Sequence, residues 1–168
     1  MSKILPYSVV NVLRGFIDVT LDNYGIDCLL FIPTNADDLD DMGIFSRPVD
    51  VEYIEYSTQI WIEWAPNIHR LRKLGIFAED ESPMIARFAS TATRVVNEES
   101  GVNEESGENE EVIETVDIIP RSYVKVPLQY VPTTMNTDEF ELVNIEIDGM
   151  HDAVITKLWK LVPRRVKE

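Results

Sequence analysis

The side chains best suited to chemistry are scattered along this sequence. Two histidines, His69 and His151, sit far apart, and neither has a cysteine or a second histidine at metal-ligand spacing. Asp37, Asp38, Asp40 and Asp41 form an acidic run ahead of Gly43. A calcium loop needs oxygen ligands at alternate positions around its turn glycine, and Asp-Asp-Leu-Asp-Asp-Met-Gly lacks that spacing, so a solvated loop or short helix is expected there. Glu52, Glu55 and Glu63 fall on probable strands. If their side chains met in a cavity they would supply an acid and base pair, but carboxylates so frequent in one chain read more simply as a solvated sheet face. Cys28, the single cysteine, lies in the apolar run Cys28 to Ile32, where a buried small hydrophobe is expected rather than a reactive thiol. There is no Gly-rich phosphate cradle and no Gly-x-Ser-x-Gly elbow. The sequence therefore points to no catalysis, no metal and no cofactor.

What remains is aromatic and charged. Tyr53, Tyr56, Trp61 and Trp64 are interleaved with glutamates, whereas stacking platforms for nucleic acid are interleaved with basic residues. These aromatics are expected in the core or at a subunit interface. The net charge of −15 also opposes wrapping a phosphate backbone. Charge is unevenly placed. Residues 98–117 hold nine acidic groups and no basic one, including Glu98, Glu99, Glu104 and Glu105 of the duplicated Asn-Glu-Glu-Ser-Gly. Residues 157–168 carry Lys157, Lys160, Arg164, Arg165 and Lys167 against Glu168 alone. His69, Arg70, Arg72 and Lys73 line the outer side of a short apolar-spaced segment, suited to an acidic partner. Opposite charges at separate places on one chain suit head-to-tail association. The candidate subunit-interface residues are thus Trp61, Trp64, Arg70, Arg72, Lys73, Phe77, Glu98, Glu99, Glu104, Glu105, Arg164 and Arg165.

The elements that would position them are mostly strands. Pro6, then Val9, Val10, Leu13, Phe16, Ile17 and Leu21 at helical spacing, then Gly25, predict an amphipathic N-terminal helix over residues 6–23. Its apolar stripe needs a partner, either the barrel or another subunit. Ile26 to Ile32 reads as a central strand covered on both faces. Val49–Tyr56 and Gln59–Trp64 read as two further strands, and Asn67 and Gly75 bracket a short helix over residues 67–74. Residues 83–89 read as an edge-like strand opening at Pro83. The acidic repeat, residues 97–111, reads as a loop or hairpin tip between strands. Strands resume at Val112–Asp117, Arg121–Tyr130 and Phe140–Ile147, and Ala153–Pro163 would return as the second arm of a hairpin. The expected fold is mainly β: one domain, an antiparallel β-barrel or sandwich over residues 25–96 and 112–163, with an N-terminal helix (1–24), one short internal helix, a long acidic loop (97–111) and a basic tail (164–168). No apolar run is long enough to cross a bilayer, and residues 1–6 have no signal core, so synthesis in the cytoplasm is expected.

Trp61-Ile-Glu-Trp-Ala-Pro, followed by Gly75-Ile-Phe-Ala-Glu-Asp-Glu-Ser-Pro-Met-Ile-Ala-Arg-Phe, resembles part of the small virion proteins at the head–tail junction of tailed bacteriophages. Arg121-Ser-Tyr-Val-Lys-Val-Pro, Phe140-Glu-Leu-Val-Asn-Ile and Leu158 to Arg165 are similar to the closing hairpins of these neck, or head-closure, proteins. The resemblance runs from Gly25 to Arg165 and carries no invariant motif; the acidic repeat departs from it. It implies a β-barrel subunit, placed in the virion, that forms a homo-oligomeric ring of about six or twelve copies. It further implies portal, adaptor and tail proteins as partners, and DNA passing through a channel without specific binding. The alternatives from the same reading are a tail terminator, baseplate or decoration protein, or a ligand-binding β-barrel unrelated to phage with Trp61 and Trp64 lining its groove.

Overall fold

The longest strand, Tyr53–Glu63, carries the architecture because it pairs along both edges. In the computed structural model, which describes residues 7–34, 51–74, 76, 84–96, 110–145 and 158–164, the elements in order are helix α1 (Tyr7–Tyr24), β1 (Ile26–Pro33), β2 (Tyr53–Glu63), helix α2 (Ile68–Lys73), β3 (Met84–Phe88), β4 (Thr91–Val96), β5 (Glu110–Thr115), β6 (Tyr123–Lys125), β7 (Glu139–Asn144) and β8 (Trp159–Pro163), with a 3₁₀ turn at Leu128–Tyr130 before β7. The strand order β1-β6-β7-β8-β3-β2 closes on itself through β1–β2 pairing, which makes a six-stranded barrel. Every pairing is antiparallel. The expected mainly-β barrel, N-terminal helix and short internal helix are all present.

The barrel interior is packed with side chains. Alternation puts Cys28, Leu30 and Ile32 of β1, Tyr56 and Ile60 of β2, Met84, Ala86 and Phe88 of β3, Phe140 and Leu142 of β7, and Trp159 and Leu161 of β8 into one buried cluster. Trp64 closes this cluster, its indole edge-on to the Phe140 ring at 5.6 Å. A second, smaller cluster lies outside the barrel wall, where Leu71 of α2 covers Ile85 and Leu158. The covering makes β3 buried on both faces and paired on both sides, so it is a central strand and not the edge-like one its opening proline suggested.

The two segments read as separate strands, 49–56 and 59–64, meet in the single strand Tyr53–Glu63. Ser57 and Thr58, which look like an interruption, are both used. Thr58 is buried, its hydroxyl donating to the Thr91 carbonyl at 3.1 Å, and Ser57 pairs with Thr93 where β4 begins to leave the wall. Chain positions 89–90 mark that departure. Ser90 donates twice to the Asp18 carboxylate, from its amide at 3.1 Å and its hydroxyl at 2.7 Å, which pins α1 to the break between β3 and β4. From there β4 and β5 form an antiparallel ribbon whose strand pairing to the barrel, among the described residues, is through β2. Val96 pairs with Glu110 at its far end, so the acidic repeat 97–109 joins two paired strands; those thirteen residues lie outside the described ones.

Position 25, just past the end of α1, takes glycine for a steric reason. The Gly25 amide donates to the Leu21 carbonyl at 2.6 Å, and a side-chain carbon at Gly25 would stand 2.5 Å from that oxygen. Helix α2 starts at Asn67, whose side-chain oxygen accepts from the Arg70 amide at 2.9 Å. Among the described residues, no helix is long and apolar enough to cross a membrane.

Candidate functional site

The outer wall near the end of β2 gathers more unmatched chemistry than any other described surface. Odd-numbered residues of β2 face outward there, and Trp61 stands directly opposite Arg87 of β3 in the antiparallel register. Helix α1 lies across this part of the wall and brings Phe16 and Leu21 beside Trp61. Arg70, in the first turns of α2, reaches over to Glu63 with a 2.7 Å ion pair. Together these side chains enclose a pocket of about 350 Å³.

Its electrostatics are unbalanced. Two guanidiniums, Arg70 and Arg87, share the single carboxylate of Glu63. Burial and the charge of Arg70 push the Arg87 pKa below its usual value, and Glu63 offsets this only in part. The Nε of Arg70 is buried and has no hydrogen-bond partner. Such a site favours an incoming carboxylate, which would supply the missing acceptor and the missing charge. The walls are apolar and open: Trp61 is 40% exposed and Phe16 72%. Val12, Phe16 and Val19 follow one another at i, i+4 and i+7 on α1, all exposed, so the helix shows solvent an apolar stripe that continues the pocket.

The other candidate residues are placed as follows. Trp64 points inward onto Phe140 and is not part of this surface. Arg72 and Lys73 are exposed on α2, next to the pocket in sequence but not lining it. Arg164 is engaged by its own chain. Its amide bonds the Glu139 carbonyl at 3.0 Å, its guanidinium donates to the Glu139 carboxylate at 3.2 Å, and that group lies 3.8 Å above the Tyr123 ring. Tyr123 in turn stacks on Phe31 at 4.5 Å and meets Tyr53 edge-on at 5.0 Å, so Arg164 completes an aromatic cluster across β1, β2 and β6. Phe77, Glu98, Glu99, Glu104, Glu105 and Arg165 lie outside the described residues, as do His151 and the acidic run from Asp37 to Asp41. Glu55 and Glu63 both face outward on β2 but eight positions apart, about 26 Å at the rise of a strand, so they do not converge. Among the described residues, no group of three His, Cys, Asp or Glu side chains is arranged to hold a metal ion.

Two contributors escaped the sequence reading. Arg87 sits in an apolar strand, and only its alternation with Met84, Ala86 and Phe88 signals that it faces outward. Phe16 was one of several apolar residues on α1, and helical periodicity does not say which of them the barrel covers. A second, larger pocket of about 690 Å³ lies beside β1, β2 and β4. Its lining mixes apolar and polar side chains, and charged ones in it are matched: Asp138 pairs with Lys125 at 3.7 Å, and Asp27 accepts from Gln59 at 3.3 Å. The thiol of Cys28 borders it, with its pKa pushed far up by burial and, secondarily, by Asp27.

The fold and this site define a filled antiparallel barrel with an unmatched guanidinium nitrogen, Arg70 Nε, on its outer wall. No family model, no curated protein and no solved structure matches the chain.

Proposed function

We propose that this chain is a structural assembly subunit, and specifically a ring-forming connector of a phage neck that links a portal or adaptor ring to the tail and helps retain DNA. The observation that carries the assembly reading is the uncovered apolar stripe Val12, Phe16 and Val19, continuous with Trp61 on the outside of a barrel whose interior is full. Contiguous apolar surface beside a polar rim suits contact with another protein, and the aromatic residues in it are of the types that dominate such contacts. The neck assignment is supported by the sequence resemblance of Trp61–Pro66, Gly75–Phe88 and the β6 to β8 segments, and by the acidic character of the chain. A negative channel wall lets DNA slide instead of stick.

The test is the mass of purified protein by light scattering at high concentration, alone and with portal or adaptor rings. A defined ring, or capture by one of those rings, supports the connector. A persistent monomer that ignores them removes it. A ligand-binding module is the second reading, favoured by the 690 Å³ pocket beside β1, β2 and β4. Saturable small-molecule binding by a monomer would favour that reading instead.

A further inference from the structure

We propose that the pocket between α1, β2, β3 and α2 is a carboxylate socket for the acidic repeat, residues 97–109, of a second copy of this chain. The inference rests on the assembly reading above and names its contact. Arg87 and the unpartnered Nε of Arg70 receive glutamate carboxylates, while Phe16 and Trp61 pack on the main chain and on Val102 between the two repeats.

Three features of the chain select this occupant. The first is charge. The socket holds two cations against one carboxylate, and residues 97–109 hold five glutamates and no cation. The second is polarity. Strand β4 runs antiparallel to β2 with Ser57 opposite Thr93, so Val96 and Glu110, the two ends of the repeat, lie toward Tyr53. The socket lies toward Glu63, at the other end of β2. The third is reach. Eight residues of strand separate positions 54 and 62, about 26 Å. Glu98 and Glu99 stand two and three residues beyond Val96, and Glu104 and Glu105 six and five before Glu110. Even a fully extended chain carries none of them more than about 20 Å from those ends. The main chain of the repeat therefore stops short of its own socket, and only fully outstretched side chains would bridge the remainder, so docking on another copy is the less strained arrangement. A contact between two different surfaces of identical copies is heterologous, and it closes into a ring when the rotation between copies permits.

The experiment compares full-length variants by sedimentation at low salt. Arg87→Gln weakens the socket and leaves the repeat intact. The joint change Glu98→Gln, Glu99→Gln, Glu104→Gln and Glu105→Gln weakens the repeat and leaves the socket intact. Each is expected to lower self-association about tenfold or more, and Arg72→Gln, outside the pocket, is expected to leave it unchanged. Mixing the first two gives the decisive reading: each mixed pair has one good socket and one good repeat, so the mixture forms one-to-one dimers and no larger rings. Should Arg87→Gln fail to fold by circular dichroism, a synthetic peptide of residues 97–109 titrated onto the fourfold variant replaces it. Saturable binding that weakens with added salt is then expected. Rings that form regardless of both variants, or a peptide that does not bind, overturn the socket and leave the connector reading in place. One-to-one docking without capture by portal or adaptor rings does the reverse.

Discussion

Two tryptophans three residues apart ought to separate stability from assembly. Trp64 faces the barrel interior, where its indole meets Phe140 edge-on at 5.6 Å. Truncating a large aromatic in a core costs about 3–5 kcal/mol, and Trp64 is only partly buried, so Trp64→Ala should cost about 3 kcal/mol with the aromatic pair included. For a chain of this size that moves a urea midpoint down by about 1.5 M. Trp61 faces outward and is 40% exposed. Trp61→Ala should cost about 1 kcal/mol of folding stability or less. If Trp61 anchors a subunit contact, the same change should weaken self-association by about 2 kcal/mol, roughly thirtyfold. Urea titration followed by far-UV circular dichroism reads the first quantity, and sedimentation equilibrium at matched concentrations reads the second. Trp64→Ala should fail mainly in urea and Trp61→Ala mainly in the centrifuge. The inside-outside assignment of β2 is refuted if Trp61→Ala is the more destabilising of the two, or if Trp64→Ala weakens assembly while its urea curve is unchanged.

Ser122 is fully buried and its hydroxyl has no partner, so Ser122→Ala should be neutral or raise stability by about 1 kcal/mol in the same urea titration; a loss of more than about 1 kcal/mol would mean the hydroxyl is bonded. The Cys28 thiol is buried with its pKa raised in the folded state, so its contribution is complete below the unfolded thiol pKa and is lost as pH rises above it. Unfolding free energy should fall by about 1.4 kcal/mol per pH unit above about pH 9 from this group, a slope that Cys28→Ala removes. The same burial should protect Cys28 from iodoacetamide until the chain unfolds, as mass spectrometry would show. Asp18→Ala should cost about 1 kcal/mol by exchanging the exposed Asp18–Ser90 bonds for bonds to water, and hydrogen exchange should show faster opening at α1 and the β3–β4 break than in β7 and β8.

Local rules located the elements that local rules control. Helix α1 is expected over residues 6–23 from Pro6 and Gly25 and spans Tyr7–Tyr24 among the described residues. Helix α2 follows from Asn67, and the pairing of β7 with β8 agrees with the alternation in the two runs, the residues 146–157 between them lying outside the described ones. What local rules did not give was long-range partnership. Ser57 and Thr58 look like a break in a strand until Thr91 supplies an acceptor for one and Thr93 a partner for the other. Residues 164–168 look like a loose basic tail. Yet Arg164 extends the β7–β8 ladder by one bond past Pro163 and lays its guanidinium on Tyr123, forty-one positions earlier in the chain. Of the candidate interface residues, Trp61 and Arg70 come together because both face outward at one end of β2, while Trp64 turns inward through the strand's own alternation.

The filled barrel also constrains where activity of any kind resides. A six-stranded barrel has a narrow interior, and here Leu30, Ile60, Met84, Phe140 and Leu161 occupy it with almost no exposure. Any partner would therefore be met outside this interior, and among the described residues the wall and the β4–β5 ribbon carry exposed apolar groups. A two-stranded ribbon is marginal by itself, and among the described residues β5 is paired on one side only, with Ile113 exposed on it. Its open edge and the apolar stripe of α1 lie on separate elements, which gives the subunit two different unsatisfied surfaces. In the head-to-tail ring proposed above, each copy would bury its stripe against one neighbour and its ribbon against the other, whereas a twofold pair would have to bring both surfaces together across a single interface.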